Sequence, residues 1–304
     1  MMFSFGDRTI EIDRPLIMGV VNATPDSFSD GGELAGSASQ IDRCLELISL
    51  GAHLLDIGGQ SAITGVPEIS VAEEIDRLVP VVAGVRAHSD CIISVDTYRP
   101  DVADAALRAG ADIINDISGV LDPGLGDVVA RHGAGFVLMH TRWRPKTRED
   151  ARALYQEGGG VTADVVSFLE RRLESLVKLG ISREQIILDP GPDFAKTAAQ
   201  TVSVIRELES VVALGRPLLM ALSRKDFLGV ITGREPKARL AATLAAISVT
   251  IRSAPACVLR VHDVAEVRDF LAVLDVLEGR SEIAADAGLD KTIRWQARIA
   301  PEST

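Results

Sequence analysis

The residues of this chain best suited to chemistry stand at the carboxyl ends of short apolar runs. Arg260 and His262 are two apart in VLRVHD (258–263), so on a strand they share one side while Asp263 points the other way. Two cationic-capable donors side by side at a strand end suit an anion. Asp56, Asp96 and Asp189 close other apolar runs, as do Asn22, Asn115 and His140, and Ser223, Arg224 and Lys225 follow one another at the end of a further run. A single Asp or Asn in such a place is more often a turn former or helix cap, and Asp263 ahead of VAEV fits an N-cap. His53, His88 and His132 fall on connections and read as surface groups. As a set, though, carboxylates, amides and cations crowding the ends of apolar strands would cost desolvation energy unless they served a ligand.

The elements that must position them recur along the whole chain: LIMGVVN (16–22), LLDIGG (54–59), IISVDT (92–97), DIINDISG (112–119), GFVLMHT (135–141), IILDPG (186–191), LLMALSR (218–224) and VLRVHD (258–263). Between them lie stretches of helical periodicity, such as 161–179 and 264–277. Eight strand–helix units predict an α/β fold, a (β/α)8 TIM barrel, whose strand ends form the active face. An open doubly wound sheet would need an edge strand less apolar than any of these. The 304-residue length suits one barrel of ~250 residues with additions. Residues 1–304 are expected to form a single (β/α)8 domain, with the barrel at about 15–278. FSFGDRTIEI reads as an N-terminal hairpin around Gly6–Asp7, residues 279–304 as a short C-terminal extension, and 142–160 as a long, mobile loop over the barrel mouth.

Composition narrows the function. Hydrophobic residues make up 47% and aromatics only 4%, the Ala/Val/Leu/Ile interior that parallel strands buried on both faces require. A net charge of -11 argues against a nucleic-acid partner, although a basic pocket can sit inside an acidic shell. Cys44, Cys91 and Cys257 are far apart without CxxC spacing and read as buried thiols. The charged N-terminus lacks the apolar core of a signal peptide and no stretch reaches ~20 apolar residues, so a cytoplasmic, soluble protein with no membrane partner is expected.

Seven stretches, IMGVVNATPDSFSDGG (17–32), LLDIGG (54–59), SVDT (94–97), INDISG (114–119), LDPG (188–191), SRK (223–225) and RVHD (260–263), resemble the motifs of dihydropteroate synthase, in the same order. Methyltetrahydrofolate methyltransferases, which share the pterin-binding barrel, lack the PDSFSDGG loop and the last two signatures. The resemblance implies a transferase that joins p-aminobenzoate to 6-hydroxymethyl-7,8-dihydropterin diphosphate, expelling pyrophosphate with Mg2+ assisting. It implies pterin contacts at Asp96, Asn115, Met139, Asp189 and Lys225, and pyrophosphate contacts at Asn22, Asp56, Arg260 and His262, with Asn22 toward the metal. It also implies that Lys225, Arg260 and His262 are the nearest to catalytic positions, and that the protein is a homodimer built on helices around 198–211, 237–252 and 264–278.

The acceptor half departs from the family. GGESTRPG is GGQSAITG here, so Gln60, Ala62, Ile63 and Thr64 replace Glu, Thr, Arg and Pro; losing the Arg removes a forked donor set, and losing the Pro loosens the loop. The family's SRKS becomes SRKD, placing Asp226 where a Ser helps hold the acceptor's carboxylate. Like charges ~4 Å apart at an effective dielectric of about 20 cost about 4 kcal/mol. DPGxGFGKT becomes DPGPDFAKT, which keeps Asp189, Phe194 and Lys196 but puts Asp193 and Ala195 in place of glycines, and Ala221 replaces a glycine near the ring. These changes predict a divergent paralogue that keeps the pterin and pyrophosphate site with little or no synthase activity. The alternatives are an active synthase, a transferase for a different acceptor, and a non-catalytic pterin binder.

Overall fold

Alternation along each strand sets the architecture: apolar residues at the amino end fill the barrel's floor, and the inward residue two positions further on is polar in most strands. The computed structural model describes residues 1–22, 33–60, 66–147, 151–155, 159–290 and 293–294. Ala62, Ile63 and Thr64 therefore lie outside the described residues. The chain opens with an antiparallel hairpin, β1 (Met2–Phe5) and β2 (Arg8–Glu11), turned at Gly6 as the sequence predicts. Eight parallel strands then close into a barrel: β3 (Leu16–Asn22), β4 (Leu54–Gly58), β5 (Ile92–Asp96), β6 (Ile113–Asp116), β7 (Gly135–Met139), β8 (Ile186–Asp189), β9 (Leu218–Met220) and β10 (Cys257–Val261). β10 pairs with β3, so no edge is left, and the open-sheet alternative falls away.

The helices between the strands are α1 (Glu33–Ser49), α2 (Val71–His88), α3 (Pro100–Arg108), α4 (Gly124–His132) and α5 (Gly160–Lys178), then α6 (Ala198–Arg206), α7 (Glu209–Val212), α8 (Asp226–Thr232), α9 (Leu240–Ser253) and α10 (Val264–Leu277). The stretch expected as one helix over 198–211 is thus broken into α6 and α7. Outward residues such as Leu55, Ile93, Ile114, Leu188 and Leu259 are buried under this helical ring. Inside, Met18, Leu54, Ile92, Ile113, Val137 and Val258 form a separate apolar floor, closed from below by Phe3 and Phe5 of the hairpin. Replacing a side chain of that size with Ala costs about 2–5 kcal/mol, so the floor is a rigid base for what stands on it.

Above the floor the period of two brings Asp56, Ser94, Asn115, Met139, Asp189 and Arg260 into the next inward layer, and Asp96 and His262 into the one above. The segment 142–160, expected as a mobile loop, is docked where it is described. Tyr155 Oη donates to the Ala195 carbonyl at 2.8 Å, and Gln200 Nε2 to the Ala151 carbonyl at 3.1 Å. Residues 279–290 are exposed, in keeping with a peripheral extension.

Candidate functional site

Asp56 anchors the centre. It is fully buried, and its carboxylate accepts Ser94 Oγ at 2.6 Å, Asn115 Nδ2 at 3.1 Å and Arg260 Nε at 2.6 Å. The same guanidinium reaches Asp96 Oδ2 through Nη2 at 3.2 Å, so one cation spans two carboxylates. Burial lifts the Asp96 pKa and the Asp56 charge lifts it further, with Arg260 opposing both. Asn115 spends its amide N–H on Asp56 and leaves Oδ1 buried without a hydrogen-bond donor. An orphaned buried acceptor costs about 1–3 kcal/mol, which a ligand N–H in that place would recover.

Asp189, 3% exposed, lies across the barrel on β8. Its Oδ1 accepts the Gly191 N–H at 2.7 Å, and Oδ2 takes no hydrogen bond from the described residues. Burial raises its pKa to about 6, tempered by that N–H and by Lys225, Lys196 and Arg260. Gly191 is obligatory: at φ +65 its added Cβ would lie 2.2 Å from the His140 carbonyl oxygen. Lys225 Nζ stands 4.4 Å from the centre of the Phe194 ring, and burial lowers its pKa against the pull of Asp193 and Asp189. Met139 is buried in the same inward layer, and Asn22 is exposed at the end of β3.

His262 differs from its expected role as a cation. Ser223 Oγ accepts the His262 backbone N–H at 3.3 Å, which leaves the hydroxyl proton to donate to Nδ1 at 3.0 Å. Nε2 then carries the ring proton. Burial, with Arg224 and Arg260 nearby, pushes the pKa to about 4, so the imidazole is a neutral donor at pH 7. Asp263 is also corrected: it occupies the N-cap position of α10 but makes no cap bond, and its carboxylate instead takes the Arg224 guanidinium through two nitrogens. His53 is more than a surface group, since its Nδ1 accepts the Ile17 N–H at 3.0 Å.

The altered acceptor positions fall in distinct surroundings. Gln60 Nε2 donates to Glu74 Oε2 at 3.2 Å and to Tyr98 Oη at 3.3 Å. Glu74 is fully buried and also accepts Thr97 Oγ1 and Arg99 Nη1, so a Glu at position 60 would set a second carboxylate against it. Asp193 adopts φ 64; its Oδ2 caps the α8 amino end by accepting the Phe227 N–H at 3.1 Å, and Oδ1 accepts Thr201 Oγ1 at 3.2 Å. Asp226 is 89% exposed on its side chain and pairs with Arg239 Nη1 at 2.9 Å. So exposed a carboxylate is screened by water and salt, which weakens the repulsion expected from its charge. Gly229 makes room for the partner, since a Cβ there would meet Arg239 Nη2 at 2.3 Å.

One half-buried arginine thus bridges two strand-end carboxylates in a barrel mouth that also holds an orphaned amide oxygen and a half-satisfied aspartate. Residues 18–262 match the model of the family described as pterin binding enzyme. The chain belongs to the dihydropteroate synthase family. A dihydropteroate synthase of Synechocystis is 39% identical over 278 residues, 91% of this chain and 92% of that protein. A Mycobacterium tuberculosis protein named inactive dihydropteroate synthase 2 is also 39% identical, over 90% of this chain and 86% of its own. The solved dihydropteroate synthase of Xanthomonas albilineans with 4-aminobenzoic acid superposes with a TM-score of 0.82 at 37% identity, covering 91% of this chain and 98% of that one.

One cluster carried no role in the sequence reading. Lys196, 6% exposed, lies beneath the Asp189 turn beside His140, which is fully buried. Lys196 stands in the family motif and His140 at a strand end, but only the fold shows that they touch, with Asp164 of α5 beyond them.

Proposed function

We propose that the chain binds a pterin diphosphate at the strand ends of β4, β5, β6, β8 and β10 and forms little or no dihydropteroate. The observation that carries the pterin reading is the buried, donorless Oδ1 of Asn115, in the inward layer that also holds Asp189 and below the one that holds Asp96. A pterin's amino-pyrimidinone edge is a row of N–H donors, which Asp189 and Asn115 would accept, with Asp96 beside them, Met139 against the ring and Lys225 on its acceptor atoms. The diphosphate would face Arg260 and the neutral Nε2–H of His262, near Asp56 and Asn22.

Among the described residues no three His, Cys, Asp or Glu side chains could hold a metal. A single protein oxygen beside a diphosphate would suit Mg2+, which keeps several waters and rides on substrate phosphates with one or two protein oxygens. Asn22 would supply the amide oxygen, and the ion would neutralise charge on the departing pyrophosphate. Neither Ile63 nor Thr64 can supply the forked donors that the family's arginine offers an acceptor carboxylate.

A second reading, a working synthase, is favoured by one observation: Asp226 is solvent-facing and already paired with Arg239. One experiment decides between them. Purified protein is given the pterin diphosphate, Mg2+ and p-aminobenzoate. Binding of the pterin with negligible product is expected; sustained dihydropteroate formation sinks the inactive reading, and absence of any binding heat sinks the pterin reading. No helix of the described residues is long and apolar enough to cross a membrane. Val249, Val273 and Leu277, exposed by 52%, 59% and 77% on α9 and α10, support a homodimer on these helices, as the family resemblance implies.

A further inference from the structure

Lys196 makes three hydrogen bonds with its ammonium and has no others to make. Nζ lies 2.8 Å from His140 Nδ1, 3.0 Å from the Gly191 carbonyl and 3.1 Å from the Phe194 carbonyl. All three are acceptors, and only the protonated amine carries three N–H groups; the neutral amine would leave one buried acceptor unpaired. The bond to Nδ1 fixes the other end of the imidazole as the donor, and Nε2 lies 3.0 Å from Asp164 Oδ2. Asp164 in turn takes Nε and Nη2 of Arg142. The polarity of the chain of bonds is thus set from Arg142 on the surface to the Asp189 turn.

We infer that Lys196 is a positioning residue for Asp189, holding both the turn that aims its carboxylate and the buried positive charge that keeps it ionised. The inference rests on the pterin reading of Asp189. Two of the three Lys196 bonds go to the carbonyls of Gly191 and Phe194, which flank the segment following Asp189, and the Gly191 N–H is the donor to Asp189 itself. The same turn carries the Phe194 ring under Lys225, so Lys196 sets two of the proposed pterin contacts at once. The charges facing Asp189 are Lys225 from the start of α8, Lys196 from the turn before α6 and Arg260 from β10. Burial lowers the Lys196 pKa to about 7 against the pull of Asp189, Asp164 and Asp193, with Lys225 lowering it further and neutral His140 in contact, so the ammonium is fully charged in the acid half of the range where Asp189 titrates. Burial holds His140 near 3, with Lys196 adding to it, so the ring does not compete as a second cation.

The test uses Lys196→Met and Lys196→Gln, the second retaining N–H donors without charge, and Lys196→Arg as the variant that keeps charge. The Asp189 carboxyl carbon is followed by NMR over pH 4.5–8.5, and 6-hydroxymethyl-7,8-dihydropterin affinity is measured over the same range. The Asp189 midpoint is expected to rise by about one pH unit in both uncharged variants and to stay near the wild-type position in Lys196→Arg. Because only the ionised carboxylate accepts the ligand's donors, the Kd ratio of variant to wild type becomes about eightfold at pH 5.5 and falls toward one at pH 8 for Lys196→Gln. An unmoved Asp189 midpoint, or a loss of affinity that is the same at every pH, overturns the assignment. Should the wild type bind no pterin, the pterin reading fails while the carboxyl titration still decides the role of Lys196. If Lys196→Met does not fold, Lys196→Gln carries the same titration.

Discussion

Replacing Asp189 by Asn should make the empty protein more stable, by an amount that depends on pH. Asp189 is 3% exposed, and burial raises its pKa from 3.8 to about 6. A folded-state pKa above the unfolded one means that the group's stabilisation is complete below pH 3.8 and is lost as pH rises through 6. The loss amounts to ~3 kcal/mol once the carboxyl is ionised in both states. Asn preserves the shape and the oxygen that accepts the Gly191 N–H, but cannot ionise. In a protein of this size ~3 kcal/mol corresponds to a Tm rise of roughly 5 °C. Calorimetric melts of both proteins at pH 4.5, 6 and 8 are expected to differ by roughly a third of that rise at the lowest pH and by nearly all of it at the other two. The reasoning is refuted by a Tm difference that does not change with pH, or by an Asn variant that is less stable at pH 8.

Three further outcomes follow from the same geometry. Arg260→Met leaves the buried Asp56 carboxylate and Asp96 without their shared cation, and should cost about 3–5 kcal/mol in urea unfolding, with Asp56→Asn in the same chain restoring part of it. Asp226→Ser should change stability by less than about 0.5 kcal/mol, because the lost pair is solvent-facing and Arg239 keeps its bonds to the Arg224, Lys225 and Arg234 carbonyls; a larger loss in denaturant unfolding contradicts that placement. Leu277→Glu on α10 should convert a dimer to a monomer in sedimentation equilibrium, and an unchanged mass moves the proposed interface elsewhere.

Much of the site was legible because the strand period is two. Reading Arg260 and His262 as neighbours on one side, and the Asp and Asn residues as strand-end groups, needs only that alternation and the burial of parallel strands. What alternation cannot give is which side chains meet across the barrel. Arg260 finds Asp56, 204 positions away in sequence, and Arg224 takes Asp263 away from its expected cap. Protonation was equally hidden: His262 reads as a cation until burial and two arginines are placed around it. Asp226 shows the same limit from the other direction, since a charge read alone as repulsive acquires a partner once α8 and the turn before α9 come together. Lys196 was visible as a motif residue, but its three acceptors exist only because the turn after β8 folds over it.

The site's charges are balanced within the barrel mouth, and that balance has a consequence for ligand binding. Arg260 is divided between two carboxylates, Lys225 faces Asp193 and Asp189 from over an aromatic ring, and Lys196 gives its hydrogen bonds to other acceptors, so among the described residues no cation donates directly to Asp189. A ligand edge bringing two N–H donors to Asp189 would supply what the protein withholds and draw its pKa back below about 6. Binding at pH 6 should therefore release roughly half a proton per site, and at pH 8, where the carboxyl is already ionised, almost none. Titrating 6-hydroxymethyl-7,8-dihydropterin in two buffers of different ionisation enthalpy measures this directly. The observed heat should depend on the buffer at pH 6 and lose that dependence at pH 8. Proton uptake at pH 6, or heats that agree between buffers there, would mean that the ligand does not meet Asp189 as an ionised acceptor.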